Sequence, residues 1–387
     1  MKLLVINDGG LWGGGTENRA RLLLGEFVKN KSVESIDLLC HCSQQGEPLA
    51  GVNVHYSTSS GYRQALNIIS SKKIDLVLAH NLVKITPFCL AAAFKKKIPV
   101  VWSAHDYWVI CHRRRMINLK GQVCHSAKKM HCLRAKCAGL RTIVRLEAYR
   151  YLINKCNLGI VASSFLKEMF EKHGVLRNKW QVILPWFDLN TFGDCCRKNT
   201  GKKIIFTGPL SVEKGAVLAA SAMKYIRAQI PDTKLYFFGD SQQPGSHTRV
   251  LIENIGKRDL TLSNIIFGGE KDWPGLKEEY SQAGVYICPP VWNETFGLNW
   301  AEAMAAGCPV VASSVGSIPE LINGNGVLIK RSDPLALAQA VIGILKNKEY
   351  SDRLSLEGQK YANNVFKVER AAEEFIKIFT KLLNKNE

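Results

Sequence analysis

No apolar run in this chain approaches the ~18 residues needed to span a bilayer, so a membrane-crossing helix is not expected. Met1 to Ile6 is too short for a secretory signal and reads as a first strand instead. Internal repeats and low-complexity tracts are missing, which removes solenoids and long disordered segments from consideration. Twelve cysteines without a secretory signal point to a reducing compartment rather than a disulfide framework. Acidic residues are scarce in one half only. Up to Phe192 there are 12, against 28 Lys and Arg, whereas the remainder has 21 against 24. Between Arg113 and Arg150 eleven basic residues accompany a single acid, Glu147. Such an excess is either a solvated surface or a face for an anionic partner, such as membrane phospholipid or a lipid-linked phosphate. Nucleic acid is not expected, because neither aromatic stacking platforms nor a reader motif accompanies the charge.

The 387 residues are 46% hydrophobic and 22% charged, enough for two ordinary globular domains. Strand-like runs at Lys2–Asn7, Ile36–Cys40, Leu76–Ala79 and Val100–Trp102 alternate with helical stretches such as Tyr62–Ser71. That alternation predicts an α/β, doubly wound parallel sheet. A second such series begins at Lys202-Lys203-Ile204-Ile205-Phe206-Thr207 and continues through Tyr236–Phe238, Ile265–Phe267 and Val285–Cys288. Composition turns polar at Gly193–Gly201, which places the domains at 1–192 and 201–366. A final amphipathic helix, 368–387, carries Ala372, Phe375, Phe379, Leu382 and Leu383 on one face.

Val285 to Glu320 is the stretch around which the chemistry gathers. A short strand ends at Pro289-Pro290, a polar loop carries Glu294, and a helix through Ala301–Ala306 stops at Gly307 before another strand. Free backbone N–H groups of Phe296, Gly297 and Leu298 at the helix start would suit phosphate, and Gly297 lets a ligand approach the backbone. Carboxylates at Glu294 and Glu302 would suit hydroxyl groups, as of a sugar or ribose. Near the N-terminus, D-G-G-L-W-G-G-G-T-E joins a strand to a helix; the glycines serve either a turn or a phosphate. His80 and His105 each close a strand, at the ends where ligands bind such sheets. Cys111, Cys124, Cys132 and Cys137, interleaved with His112, His125 and His131, allow structural zinc or free thiols. The segment Arg141–Lys155 reads as a basic helix with apolar Ile143, Leu146 and Ile153, suited to a core or to an anionic membrane.

The run E-T-F-G-L-N-W-A-E from Glu294, followed by A-M-A-A-G-C-P-V-V-A-S and I-P-E-L-I, resembles the glutamate-x7-glutamate signature of glycosyltransferase family 4. The resemblance implies the GT-B fold: two Rossmann-like domains facing across a cleft, the first binding an acceptor and the second a UDP- or GDP-sugar. It implies that Glu302 holds ribose hydroxyls and Glu294 sugar hydroxyls. Lys214 and the N–H groups of Phe296, Gly297 and Leu298 would stabilise charge on the departing diphosphate. Gly14 and Gly15 match a family G-G-x-E near the donor diphosphate, and His105 in H-D-Y-W would contact the transferred sugar. In GT-B proteins a C-terminal helix packs back on the first domain. The implied catalytic residues are therefore His105 and Glu294.

The implied activity is retaining transfer of a sugar onto a glycan or lipid-linked acceptor, in polysaccharide, lipopolysaccharide or glycolipid assembly. No D-x-D occurs, so no catalytic metal or cofactor is expected. The implied location is cytoplasmic and peripheral to the membrane. One departure stands out. Where the family pattern G-R-L-x-x-E-K-G has Arg, this chain has Pro209, and one phosphate-neutralising charge is missing. That leaves a non-catalytic nucleotide-sugar binder as the second reading.

Overall fold

The computed structural model describes residues 1–384 apart from 12–13, 42–48, 120, 125–128, 135, 194, 196, 199–200 and 241–245; at 129–131 only the backbone is described. The chain divides into two compact units, Met1–Phe187 with Lys367–Glu387, and Asp188–Phe366.

Unit 1 holds β1 (Lys2–Asn7), β2 (Ser35–Cys40), β3 (Val52–Tyr56), β4 (Leu76–Ala79), β5 (Val100–Ser103), β6 (Leu158–Val161) and β7 (Trp180–Val182). All pairings are parallel, in the order β3-β2-β1-β4-β5-β6-β7. Strands covered by helices on both faces must be apolar throughout, which is why β1, K-L-L-V-I-N, is buried in five of six residues. Chain order reverses between β1 and β4, and a sheet opens a ligand crevice at such a reversal. The terminal helix Val368–Leu383 belongs to this unit, as expected. Its buried Phe375 and Phe379 meet Phe27 edge-on at 6.1 and 5.8 Å, and Phe375 meets Trp186 at 5.6 Å.

Unit 2 holds β8 (Lys203–Thr207), β9 (Lys234–Phe238), β10 (Ile265–Phe267), β11 (Val285–Cys288), β12 (Val310–Ser313) and β13 (Val327–Ile329), parallel in the order β10-β9-β8-β11-β12-β13. Its reversal lies between β8 and β11, the counterpart of the first. Val285, Ile287, Ile204 and Phe206 of these two strands pack with Ala216, Ala219, Ala220 and Met223 of helix Ala216–Gln229 in one core.

Two expectations shift. The division falls at Phe187/Asp188, not at 192, because Asp188 accepts hydrogen bonds from Asn190 and Thr191 and starts the helix Leu189–Phe192. Phe192 is then buried 6.1 Å from Tyr280 in unit 2. Strand β3 was not anticipated; it is an edge strand in which only Val52 is buried, without the apolar run of its neighbours.

Candidate active site

Backbone close approach builds the site in unit 2. Gly215, at φ +84°, lies so near the end of β11 that a Cβ would sit 1.9 Å from the Pro289 carbonyl oxygen. Val291 donates to the Glu213 carbonyl at 2.9 Å. Together these contacts bring Lys214 beside a residue eighty positions later: its Nζ donates to Glu294 Oε2 at 2.6 Å. Glu294 is clamped from the other side. Ser317 donates to its carbonyl at 2.9 Å, and a Cβ at Gly316 (φ +58°) would lie 2.2 Å from that oxygen. The Thr295 N–H reaches Glu294 Oε1 at 3.2 Å. The pair is asymmetric: the Glu294 side chain is 4% exposed and the Lys214 side chain 34%. Lys214 can therefore turn toward an anion from solvent while its carboxylate stays fixed.

The helix spans Leu298–Ala305 with Gly297 as its left-handed cap. Gly297 and Leu298 keep the role of opening the helix. Phe296 precedes that cap and anchors the loop: its ring lies 5.7 Å from Trp300 and 5.9 Å from Phe366, and its carbonyl accepts from Trp300 Nε1 at 2.8 Å. Gly297, Lys214, Glu294, Gly208, Pro209 and Asn299 all border one pocket. Asn299 was not anticipated; it donates to Thr207 Oγ1 at 2.9 Å, and Thr207 in turn meets the buried Tyr280 and Tyr286 hydroxyls at 2.9 and 3.3 Å. Position 299 lies in the first helical turn, which was the available signal. Cys288 also lines the pocket, but burial pushes its thiol up to about 12 and keeps it protonated.

Glu302 is half-buried; its carbonyl accepts from the Ala306 N–H at 3.0 Å, and desolvation alone acts on its carboxyl. Burial raises its carboxyl to about 7. A ligand hydroxyl donating to it would favour the ionised form.

Unit 1 presents a different chemistry at its own reversal. After β1, Asp8 accepts from the N–H groups of Val83, Lys84 and Ile85 at 2.7, 2.8 and 3.0 Å, fixing the turn that follows β4. His80 and His105, ending neighbouring strands, meet at 2.8 Å between His80 Nδ1 and His105 Nε2. Arg19 Nη1 stands 3.5 Å from His105 Nδ1, and its guanidinium lies 4.2 Å over the Trp186 ring. A guanidinium has no acceptor, so His105 Nδ1 accepts, its Nε2 bears hydrogen, and His80 Nδ1 accepts in turn. The hydrogen on His80 then sits on Nε2, which is buried without a partner. Burial and then Arg19 lower both imidazoles, His80 to about 3 and His105 well below its usual value. Both stay neutral. Burial alone lowers Arg19 to about 9. Arg19 went unread in the sequence, although it lies four residues before Leu23 on the buried face of helix Gly15–Lys29.

Gly14 caps that helix and Gly15 opens it, both exposed. The four cysteines are half-buried free thiols. Those of Cys111, Cys132 and Cys137 help raise that of Cys124, so they share a neighbourhood. Yet no group of three or more His, Cys, Asp or Glu among the described residues could hold a metal ion. His125 and the His131 side chain lie outside the described residues. Of the apolar residues read for the basic helix, Ile143 and Ile153 are buried and Leu146 partly so.

Two parallel sheets of this order, each with a polar site at its reversal, define a protein of the GT-B fold. Residues 196–361 match the family described as glycosyl transferases group 1, and residues 43–191 match glycosyltransferase family 4. The chain belongs to glycosyltransferase family 4. It is 30% identical over 228 residues to spore coat protein SA of Bacillus subtilis, covering 53% of this chain and 59% of that one. It is 30% identical over 163 residues to phosphatidyl-myo-inositol mannosyltransferase of Mycobacterium leprae, 41% of each. The chain thus spans about half the length of these curated relatives. Among solved structures, Anabaena Alr3699/HepE in complex with UDP-glucose superposes with a TM-score of 0.71 at 18% identity, covering 98% of this chain and all of that one.

Proposed function

We propose that the protein is a retaining, metal-independent glycosyltransferase that moves a sugar from a nucleotide-sugar donor to a glycan or lipid-linked acceptor. The observation that carries this reading is the meeting of Lys214 and Glu294 beside a glycine-capped helix start at the β8/β11 reversal, on the helix that also carries Glu302. A nucleotide sugar offers hydroxyls, a diphosphate and a ribose; this part of unit 2 offers two carboxylates, a partly exposed ammonium and the N–H groups of a helix start. The UDP-glucose bound to the Anabaena structure and the phosphatidyl-inositol acceptor in the mycobacterial relative's name support donor and acceptor classes of this kind.

Glu302 would hold the ribose and Glu294 the sugar, while Lys214 and the helix N–H groups stabilise the leaving diphosphate. With no cation invoked, these groups carry the charge that forms as the sugar C1–phosphate oxygen bond breaks. The acceptor oxygen bonds C1 on the same face, and its proton passes to the departing phosphate oxygen. Around His105, unit 1 would bind acceptor and sugar with neutral donors and acceptors. Assembly of a surface polysaccharide, lipopolysaccharide or glycolipid at the cytoplasmic side of the membrane is the setting that suits the basic first half. Among the described residues no helix is long and apolar enough to cross a membrane.

The test is release of nucleoside diphosphate from donor sugars with EDTA present, followed by the anomeric configuration of the product. Full activity in EDTA with retained configuration is expected; inversion or a strict requirement for magnesium contradicts the proposal. Pro209 favours a second reading, a binder without transfer, which predicts donor binding and no diphosphate release with any acceptor.

A further inference from the structure

Helix Leu140–Asn154 has two apolar faces. Ile143, Tyr149, Leu152 and Ile153 are buried and account for its packing on unit 1. On the other side Leu140 is 68% exposed, Val144 61% and Tyr151 62%. At 3.6 residues per turn these three fall within roughly 40° of one another, in a stripe about 16 Å long. The fold gains nothing from an outer stripe in water, and a contiguous exposed apolar face marks a contact surface.

The surroundings identify the partner. Arg141 and Arg145 are exposed on one flank of the same helix, and the Lys155 ammonium stands 4.5 Å over the Tyr151 ring in the stripe itself. Arg113 and Arg145 both act on the His112 imidazole, so the exposed loop with Arg113 lies against the same helix. The one acid, Glu147, is already paired with Arg150 at 3.1 Å. An apolar stripe bordered by cations, with its only carboxylate neutralised, complements lipid tails beneath anionic headgroups. We propose that this face docks unit 1 on an anionic bilayer surface, with Leu140, Val144 and Tyr151 entering the headgroup boundary and the arginines meeting phosphate. The apolar residues responsible are thus Leu140, Val144 and Tyr151, not the inward Ile143 and Ile153.

This deepens the proposed function by placing a lipid-linked acceptor within reach, and it rests on that reading only there. The test is flotation of the full chain with vesicles of phosphatidylcholine, with and without phosphatidylglycerol. About tenfold tighter binding to the anionic vesicles is expected, weakening as salt rises. The variant Leu140→Gln with Val144→Gln and Tyr151→Gln should bind about tenfold more weakly, with unchanged circular dichroism and an unchanged thermal shift by donor. Arg141→Gln with Arg145→Gln should flatten the salt dependence. Flotation of the triple variant equal to wild type, or none of wild type at low salt, overturns the proposal. So does a dimer in solution that the triple variant abolishes, which would give the face to a second copy. Vesicle binding reads the surface and donor-induced stabilisation reads the sugar site, so either can fail alone.

Discussion

The two units use the same architectural device with opposite electrostatics. At the β8/β11 reversal a buried carboxylate faces a partly exposed ammonium, and the same helix carries a second carboxyl raised by burial. At the β1/β4 reversal two imidazoles are held neutral by burial beside a guanidinium. Sheet topology therefore sets where a site forms, while local burial sets which charges it can carry. A site that must meet a diphosphate needs exchangeable charge; one that must orient hydroxyls is served by neutral donors and acceptors whose tautomers are fixed.

The largest effects should come from the charged site. Glu294→Gln and Lys214→Ala should each reduce turnover by about a hundredfold or more, since fixed groups aimed at developing charge commonly have that worth. Lys214→Ala should also lower stability, by ~3 kcal/mol, because it leaves Glu294 buried without its counter-charge. Adding Glu294→Gln should recover part of that loss in chemical denaturation. Wild-type turnover in both single variants would remove the assignment.

Next in size is an opposition in pH dependence. The folded pKa of Glu302, about 7, is raised, so its contribution is fully present below the ordinary carboxyl value and is lost as pH rises through 7. The folded value of His80, about 3, is depressed, so its contribution is present above the ordinary imidazole value and fades as pH falls. Lowering the pH from 7.5 to 5 should thus add ~2 kcal/mol through Glu302 and remove ~2 kcal/mol through His80. Melting temperatures across this range should show Glu302→Gln more acid-sensitive than wild type, relative to pH 7.5, and His80→Gln less so. Parallel curves for all three proteins would break the comparison.

Smaller, and specific to unit 1, is the tautomer chain. Nitrogen NMR of labelled histidine should show His105 and His80 both neutral and protonated at Nε2 at pH 6. A charged His105 or the reverse tautomer would refute the arrangement drawn from Arg19.

Much of this was legible in the chain. Continuous apolar runs marked β1, β4, β5, β8 and β11, because strands buried on both faces have no room for polar residues. The edge strand β3 had no such run. Glu294 and Glu302 stood out because they share one short stretch, and Gly297 because a residue without a side chain lets a ligand approach the backbone; that it is also a left-handed cap appears only in the fold. The Lys214–Glu294 bond was not legible, since it depends on Gly215 and Gly316 admitting backbone against backbone. The His80–His105 contact follows from β4 and β5 being neighbours, a pairing known only once strand order is known. Arg19 was hidden by its charge, which reads as surface although helical spacing places it inward.

The central claim is that unit 2 holds a nucleotide sugar on Lys214 and Glu302, and thermal stabilisation of the full chain by UDP-, GDP- and ADP-sugars without metal tests it most directly. A ligand that binds only the folded state raises stability by RT ln(1 + [L]/Kd). The account predicts a saturable rise with one nucleotide, weakening as pH falls below 7 while Glu302 gains its proton, and largely lost in Glu302→Gln and Lys214→Ala. No rise with any donor, or an equal rise in both variants, would contradict it.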